Sequence, residues 1–501
     1  MVMIASVHSA TLWGTDALGV VVEADIQGGL PSIAIVGLPD SVVKESRERV
    51  RSAILNSGLD FPPRRITVNL APADVRKEGG TFDLPVAVAI LAALGMVPKG
   101  SVPDYLFVGE LGLDGGVRPV RGVISAAFLA RSQGFRGIVC PEQNAHEANL
   151  AGVDVFPVRS LMDVFSFLRG EKVICWNGSA AHYPAMEPSL PDLSEVSGQA
   201  MGKRGLEIAA AGSHNLLFVG PPGAGKSMLA KRLPSILPPL AHSEILECTS
   251  IYSAAGRLGK NEIVLKRPFR SPHHTISDAG LIGGGTVPAP GEVSLAHNGV
   301  LFLDEMPEFR RSALEALRQP LEDGRVTVSR ASSSFTFPAN FQLVAALNPC
   351  PCGFLGHPSR PCECTPLHVA KYRARVSGPL LDRIDIHLWI DPVEADEVLG
   401  PKSGSSSSAA RDRVAATRSI QLGRGFVNAR IPDNSLEKVC GLTSPIKMML
   451  VAAVKRYALS MRALTRVIKV ARTIADLEES QDIREEHVAE ALQYRPEMVS
   501  C

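Results

Sequence analysis

One glycine-rich segment of the chain has the residue types and the spacing of a phosphate-binding loop. It lies between the apolar run Leu216–Val219 and a helix-like stretch at 228–237. In the pattern G-x-x-x-x-G-K-[ST], backbone N–H groups surround the phosphates, the lysine neutralises their charge and the hydroxyl ligates Mg²⁺. The residues that fit this pattern are Gly220, Pro221, Pro222, Gly223, Ala224, Gly225, Lys226 and Ser227. The strand–loop–helix order favours an ATP and Mg²⁺ site over an ordinary glycine-rich turn.

Two adjacent carboxylates follow a second apolar run, Val300–Leu303. Parallel α/β sheets carry their chemistry at the carboxyl ends of the strands, so Asp304 and Glu305 are expected at the same edge as the glycine-rich loop. We predict that Asp304 holds Mg²⁺ and that Glu305 activates the attacking water. An Asp-Glu pair alone also suits the acidic start of a helix, so the prediction depends on its pairing with the loop.

Four of the nine cysteines form two C-x-C pairs in a segment rich in glycine and proline. They are Cys350, Cys352, Cys362 and Cys364. Four thiolates can hold one tetrahedral Zn²⁺, which would fix a segment that has no helix or strand pattern. The spacing differs from the common C-x-x-C, and His357 or His368 can replace one cysteine. Unliganded thiols are therefore the alternative.

The apolar patterns around these residues indicate three domains joined by two linkers. Residues 1–168 mix β-branched runs with helical stretches, which indicates an α/β domain. Residues 169–197 are rich in glycine, serine and proline and are predicted to be a linker. Residues 198–398 alternate strands and helices, which is typical of a parallel, doubly wound sheet. After a flexible linker at 399–410, residues 411–501 show helical spacing alone and are predicted to form a lid.

Single elements can be predicted inside the central and C-terminal domains. A third apolar strand is expected at 343–347, and a helix is expected at 312–321 in addition to the one at 228–237. In the lid, helical spacing covers 445–478 and 484–494.

The composition is that of a globular protein with a neutral charge balance. Hydrophobic residues make up 45% and charged residues 21%, enough to bury sizeable cores. Lys plus Arg (52) nearly equals Asp plus Glu (51), so a phosphate-rich partner must be held by local basic patches. The longest apolar run, 86–97, is shorter than the ~18–20 residues of a membrane span and is predicted to be a buried helix. No signal-peptide pattern is present, so a cytoplasmic protein without a membrane partner is expected.

Longer strings of residues resemble the magnesium-chelatase-like AAA+ ATPases, in particular their bacterial branch of competence-associated helicases. The strings are Gly198-Gln199, Lys203-Arg204, Ser271-Pro272-His273-His274, Gly291-Glu292-Val293, Asn348-Pro349-Cys350-Pro351-Cys352-Gly353 and Gly378-Pro379-Leu380-Leu381-Asp382-Arg383-Ile384-Asp385. The resemblance covers nearly the whole chain. The fold it implies is α/β, with a central P-loop AAA+ domain that carries a parallel sheet and a C-terminal helical lid.

The resemblance also implies roles for three residues around the nucleotide. Asn348 is similar to the sensor that orients the water, Arg383 to the arginine finger and Arg462 to the sensor arginine of the lid. An arginine finger in AAA+ rings comes from the neighbouring subunit, so a homo-oligomeric ring, expected to be a hexamer, is implied. The alternatives are a salt bridge of Arg383 with Asp382 or Asp385, and a solvated helix face for Arg462.

Two parts of the N-terminal domain, 77–84 and 109–115 with Arg118-Pro119-Val120, resemble the proteolytic domain of Lon, a ribosomal S5 domain 2-like fold. Lon cuts peptides with a serine whose proton is taken by a lysine. The serine position falls on Thr81 and the lysine position on Ile124, so neither half of the pair is present. We expect a non-proteolytic domain that serves as a platform for binding or for ring assembly.

The segment 324–337 has two alternating β-like runs around a turn of small residues, which predicts a hairpin. In the AAA+ clade that this chain resembles, a hairpin at this place points into the channel of the ring. Arg325 and Arg330 are then predicted to contact phosphates of single-stranded or branched DNA. A surface hairpin with two solvated arginines is the alternative.

Three classes of function fit these features. The resemblance implies an ATP-driven DNA motor, a helicase or branch-migration enzyme that acts in recombination and natural transformation. The alternatives are a motor subunit of magnesium chelatase and an ATP-driven protein remodeller. We favour the DNA motor because the N-terminal domain and the cysteine-rich segment are not expected in the chelatase motor subunit.

Overall fold

The computed structural model of the protein describes residues 3–98, 100–176, 190–285, 288–329, 334–393 and 406–495. The chain divides into two compact units. The first comprises Met1–Ala185, Ala241–Leu265 and Ser329–Phe337, and the second comprises Met186–Leu240, Lys266–Val328 and Pro338–Cys501. Within the described ranges, no helix combines the length and the apolar composition needed to cross a bilayer.

The first unit is built on a seven-stranded mixed sheet. The strands in this part of the chain are β1 (Met3–Trp13), β2 (Asp16–Gln27), β3 (Ser32–Val36), β4 (Arg65–Ala71), β5 (Tyr105–Phe107), β6 (Glu110–Leu111), β7 (Val117–Arg118), β8 (Gly137–Pro141) and β9 (Asp154–Val158). The order in the sheet is β3-β4-β2-β1-β5-β8-β9, and β6 pairs with β7 separately. The pair β1–β2 is antiparallel, whereas β5, β8 and β9 run parallel.

Helices cover this sheet and bury its apolar side chains. They are α1 (Ser41–Asn56), α2 (Asp83–Ala93), α3 (Val123–Ser132), α4 (Ala145–Asn149) and α5 (Leu161–Leu168). Helix α1 begins where the Asp40 carboxylate accepts a hydrogen bond of 2.7 Å from the backbone N–H of Val43. Every residue of α2 is buried. This confirms the predicted buried helix, although the helix ends at Ala93.

The second unit contains a parallel sheet, as predicted, and this sheet has five strands. The strands in this part of the chain are β10 (Leu216–Val219), β11 (Phe269–Arg270), β12 (Gly283–Gly284), β13 (Ala289–Pro290), β14 (Val300–Leu303), β15 (Arg325–Ser329), β16 (Ser334–Pro338), β17 (Gln342–Leu347) and β18 (Ile386–Trp389). The sheet has the order β11-β14-β17-β10-β18, and all its pairs are parallel. The carboxyl ends of β10, β14 and β17 therefore meet at one edge.

Two helices that the sequence predicts as continuous are each broken in two. The helices in this part of the chain are α6 (Ala200–Gly212), α7 (Lys226–Ala230), α8 (Leu233–Ile236), α9 (His242–Ala254), α10 (Asp278–Ile282), α11 (Glu292–Leu295), α12 (Arg311–Ala316), α13 (Arg318–Asp323), α14 (Pro366–Arg373) and α15 (Gly378–Leu381). A proline ring clashes with the carbonyl four residues earlier. Pro234 therefore ends α7 at Ala230, and Pro320 ends α12 at Ala316.

The C-terminal part of the second unit is helical, as predicted. Its helices are α16 (Ser407–Gly423), α17 (Leu436–Cys440), α18 (Ser444–Tyr457), α19 (Met461–Leu477) and α20 (Glu485–Gln493). Helix α16 begins at Ser407, inside the segment 399–410 for which a linker is predicted. Side chains of α16, α18 and α19 share one hydrophobic core with those of β10 and β18. The lid and the sheet are therefore packed as one body.

A buried carboxylate also joins the lid to the sheet. Asp385, which precedes β18, accepts hydrogen bonds from the backbone N–H of Asn215 at 2.8 Å and from the Arg466 guanidinium in α19 at 2.7 Å. His214 lies 3.6 Å from the same carboxylate and 2.7 Å from Thr473 of α19. Burial raises the pKa of Asp385, but the charges of Arg466 and His214 outweigh it and hold the pKa below its usual range. Removal of one partner from such a buried ion pair costs about 3–5 kcal/mol.

Two segments from the central part of the sequence belong to the first unit. Helix α9 lies in one of them, and its Ser253 hydroxyl accepts a hydrogen bond of 2.9 Å from the backbone N–H of Gly122. The other segment carries most of β16, and its Phe335 ring lies 4.7 Å from the ring of Trp13. Strands β15 and β16 form a two-stranded sheet, which agrees with the predicted hairpin.

Candidate nucleotide-binding site

The glycine-rich loop leaves β10 at Val219 and enters α7 at Lys226. Gly223 and Gly225 have φ angles of +81° and +91°, a region that residues with a side chain rarely adopt. Apart from the glycine itself and its neighbours in the chain, no described atom lies within 4 Å of the position that a Cβ would take on either glycine. The loop therefore depends on glycine for its backbone conformation.

The ammonium group of Lys226 is buried inside this loop. It donates hydrogen bonds to the backbone carbonyls of Gly220 at 2.6 Å and Pro221 at 2.8 Å, and to Oδ1 of Asn348 at 3.0 Å. Burial lowers the pKa of Lys226, and the charges of Asp304 and Glu305 oppose this shift. A buried cation whose direct acceptors are neutral groups is suited to bind a phosphate.

The geometry brings Ser227 and Asp304 together at the carboxyl edge of the sheet. The Ser227 hydroxyl donates a hydrogen bond of 2.6 Å to Oδ2 of Asp304. A hydroxyl and a carboxylate in contact are the hard oxygen ligands that Mg²⁺ prefers, and Mg²⁺ is commonly bound by one or two such groups and by phosphates. These two residues would hold the ion, which would neutralise negative charge on the β- and γ-phosphates.

Glu305 lies beside Asp304 in a strained backbone conformation. Its φ angle is +51°, which is unusual for a residue other than glycine and costs about 1–3 kcal/mol. Its side chain is 60% exposed, so a water molecule can reach the carboxylate. Nδ1 of His274 lies 3.8 Å from Oε2 of Glu305. No role for His274 is predicted from the sequence. The only signal was its place in the string Ser271-Pro272-His273-His274.

Asn348 follows β17, which lies between β10 and β14. This position explains how its side chain reaches Lys226, since the ends of neighbouring parallel strands lie side by side. Burial raises the pKa of the Tyr372 phenol in α14, and the backbone of Asn348 opposes this shift. Lys226, Ser227, Asp304 and Asn348 thus form one contiguous set.

Arg383 lies in the same unit, but its side chain is only 5% exposed. One end of the guanidinium forms an ion pair with Glu322 of α13, and the other donates a hydrogen bond of 2.5 Å to the carbonyl of Pro379. The alternative prediction, a salt bridge of Arg383 with Asp382 or Asp385, is wrong, because the acidic partner is Glu322. In this subunit the guanidinium is not presented to solvent.

Arg462 lies in the first turn of α19 and is exposed. Within the described residues it forms no hydrogen bond or ion pair, and no contact with the phosphate-binding loop is seen. The helix enters this turn through Ser460, whose hydroxyl caps Ala463 and lies 3.4 Å from Asp382. The alternative for Arg462 was a solvated face of α19. This face does not include Arg466 and Arg472, because both form buried ion pairs.

Of the two arginines predicted to contact DNA, Arg325 lies among the described residues. Arg325 begins β15 and is exposed, whereas the next residue, Val326, is buried. This alternation places Arg325 and Thr327 on the outer face of the strand. Arg330 lies outside the described residues.

The four clustered cysteines lie close together. All four sulfur atoms are within 4.8 Å of one another, and Sγ of Cys350 is 3.3 Å from Cys352 and 3.6 Å from Cys362. A tetrahedral zinc ion with bonds of about 2.3 Å requires sulfur separations of about 3.8 Å. Backbone N–H groups of Leu355 and Cys352 point at Sγ of Cys350 and Cys364. The donor set fits Zn²⁺, and neither His357 nor His368 belongs to it.

The fold and this geometry define a P-loop nucleotide-binding core with a helical lid. Residues 192–398 match the family described as magnesium chelatase, subunit ChlI, and residues 404–495 match the C-terminal part of that subunit. Residues 22–144 match the family described as subunit ChlI of Mg-chelatase.

Two relatives match the chain over nearly the full length of both proteins. The chain is 45% identical over 497 residues to YifB of Salmonella typhimurium, with 98% of this chain and 97% of YifB covered. It is 44% identical over 504 residues to the competence protein ComM of Haemophilus influenzae, with 98% and 97% covered. The chain therefore belongs to the magnesium-chelatase-like AAA+ family. A partial match of 26% over 190 residues, covering 35% of this chain and 23% of the relative, links it to the Lon protease of Rhizobium meliloti.

The roles of Lys226 and Glu305 can be separated by substitution. Lys226→Ala should weaken ATP binding because it removes the charge that faces the phosphates. Glu305→Gln should bind ATP at near wild-type affinity but hydrolyse it at least about 100-fold more slowly, because the base is lost. Binding of a fluorescent ATP analogue and phosphate release are the measurements. Lys231→Ala, an exposed lysine just after α7, is the matched control. Near-normal turnover by Glu305→Gln would remove Glu305 from the role of base.

Proposed function

We propose that the protein is an ATP-driven, ring-forming DNA motor that acts as a helicase or branch-migration enzyme in recombination and natural transformation. The observation that carries this proposal is the 44% identity, over nearly the full length of both chains, to a protein named for competence. The buried lysine and the Ser227–Asp304 pair support ATP and Mg²⁺ as cofactors. Competence requires the handling of incoming DNA, and an AAA+ core would supply the energy.

The hairpin of β15 and β16 supports a DNA contact. The formal net charge is only +1, so affinity for phosphates must come from local groups. Arg325 is exposed at the start of β15 and has no acidic partner among the described residues. Such an arginine can bind a phosphate of the DNA backbone without selecting a sequence.

Two other functions remain as outcomes of the same test. A motor subunit of magnesium chelatase is favoured by the family descriptions, and the match of residues 22–144 removes the N-terminal domain as an argument against it. A protein remodeller is favoured by the partial likeness to Lon protease. Stimulation of ATP hydrolysis by DNA, by porphyrin with partner subunits, or by unfolded protein distinguishes the three functions.

The central experiment is ATP-dependent unwinding of forked and four-way DNA. The variant Arg325→Ala should unwind fewer base pairs per ATP hydrolysed, because the motor loses a phosphate contact. The salt dependence of DNA binding should flatten by about one unit of slope, equally on all sequences. Thr327→Ala, on the same face of the same strand, is the uncharged control. The double variant Arg325→Ala/Arg330→Ala should show a larger loss.

An unchanged salt slope and an unchanged unwinding yield in the double variant would exclude the hairpin as the DNA-gripping element. Absence of unwinding by the wild-type protein, together with stimulation by porphyrin or by unfolded protein, would overturn the DNA motor itself.

We propose that Arg383 acts on the ATP of a neighbouring subunit in a ring, expected to be a hexamer, and that Arg462 approaches the nucleotide from the lid. The ion pair with Glu322 must then open when the ring forms. Mixing Arg383→Ala with Lys226→Ala subunits should restore part of the turnover, because some mixed interfaces combine an intact loop with an intact arginine.

The variant Glu322→Gln tests whether the ion pair holds Arg383 away from the neighbouring nucleotide until the ring forms. It should keep or raise the turnover of assembled rings, since it frees Arg383, whereas Arg383→Ala should lower turnover. If both variants leave turnover unchanged and lower the melting temperature equally, the pair is only structural. Sedimentation with ATP shows whether rings form and exchange subunits.

We propose that the four cysteines hold one structural Zn²⁺. Anaerobically purified protein should contain about one zinc per chain, and Cys362→Ala should release it because three ligands rarely hold a structural ion. Cys175→Ser, which changes a thiol outside the cluster, should keep it. Metal analysis is the measurement. Absence of zinc from the wild-type protein would make the cluster a set of free thiols.

Residues 1–168, 198–398 and 411–501 are proposed as the three domains, and the protein is proposed to work in the cytoplasm. The N-terminal domain is proposed as a non-proteolytic platform. Ile124 is fully buried and apolar, so it offers no base to Thr81.

A further inference from the structure

The four-cysteine cluster lies directly against the ATP site. Cys350 is fully buried and follows Asn348 by two residues. Gly353 has a φ angle of +85°, and a Cβ placed there would lie 2.6 Å from Cδ of Pro222 and 3.9 Å from Cγ of Asn348. Gly353, between the two cysteine pairs, therefore packs against Pro222 of the phosphate-binding loop and lies near the side chain of Asn348, which contacts Lys226.

The chain that follows the cluster contacts the backbone next to Asn348. Cys364 is followed by the Thr365 cap of α14, and the last residue of that helix, Arg373, donates a hydrogen bond of 3.3 Å to the carbonyl of Pro349. The segment that starts at Asn348 thus closes on itself, with the cysteines at its centre.

Little else fixes the backbone inside this closed segment. Residues 350–365 are described throughout and contain no helix or strand. Without a cross-link, the position of Gly353 would depend on a few turns, whose ordering costs about 1–2 kcal/mol of entropy per residue. A metal held by all four sulfurs would remove most of this freedom before nucleotide binds.

We propose that metal binding by the four cysteines positions Gly353 against Pro222 and Asn348 against Lys226, so that the metal controls ATP hydrolysis and not ATP binding. Lys226, Ser227 and the loop backbone bind the phosphates without the cluster. Orientation of the attacking water depends on Asn348, whose placement the cluster sets. The inference rests on the proposed ATP site but not on the proposed action on DNA.

Two glycines of the same loop allow the coupling to be tested with all four cysteines intact. Gly353→Ala places a methyl group against Pro222, whereas Gly356→Ala places one 3.3 Å from the ring of Trp389, away from the phosphate-binding loop. Both glycines have positive φ, +85° and +79°, so the backbone strain of the two substitutions is matched. Only the first substitution should disturb the ATP site.

The measurements are zinc per chain, affinity for a fluorescent ATP analogue, and kcat and KM for ATP without DNA. Gly353→Ala should keep its zinc and its nucleotide affinity, while kcat falls by about 10- to 100-fold, the effect of a misplaced catalytic group. Gly356→Ala should resemble the wild type. Cys362→Ala should lose zinc and show the same fall in kcat with nucleotide affinity retained.

The inference is overturned if zinc-free Cys362→Ala hydrolyses ATP at the wild-type rate, or if it fails to bind nucleotide while remaining folded by circular dichroism. A wild-type kcat for zinc-loaded Gly353→Ala overturns the contact with Pro222 as the route. If zinc-loaded wild-type protein hydrolyses ATP but ignores DNA, the coupling stands and only the DNA motor fails.

Discussion

A buried ammonium group at the carboxyl edge of a parallel sheet is the constraint on which the second unit depends. Lys226 donates to two backbone carbonyls and to Asn348, and a charge in such a position is tolerated only when every contact is well placed. The contacts require a loop with glycines at positive φ, and they require β17 next to β10. The order of the sheet, the loop and the asparagine are therefore parts of one electrostatic arrangement.

Much of this arrangement could be predicted from the sequence, because each part follows a local sequence pattern. The loop, the acidic pair after β14 and the asparagine after β17 each follow an apolar run, and the rule for parallel strand ends brings them together. The partner of Arg383 could not be predicted in this way. Glu322 lies 61 residues earlier, and no periodicity joins it to Arg383. The breaks after Ala230 and Ala316 could have been predicted, since Pro234 and Pro320 mark them.

The division into units shows a second limit of local patterns. In the sequence, helix α9 and the segment 329–337 lie between strands of the five-stranded sheet, so the order of the sequence assigns them to the central domain. Two of their side chains nevertheless contact the N-terminal part of the chain: Ser253 accepts a hydrogen bond from the backbone N–H of Gly122, which precedes α3, and the Phe335 ring lies against Trp13 of β1. Such assignments depend on which surface an aromatic ring or a hydroxyl meets in space, and an alternating pattern does not contain that information.

Glu305 shows how strain and chemistry are combined at the same edge. Its left-handed backbone would suit glycine better, so its cost must be offset by the elements on both sides. Leu303 and Met306, fully buried, hold the chain before and after the turn. The turn directs the carboxylate outward, with His274 beside it, while Asp304 stays against Ser227. The two adjacent acids thus receive different surroundings, one bound to a hydroxyl and half-buried and the other open to water, which suits one to hold an ion and the other to accept a proton.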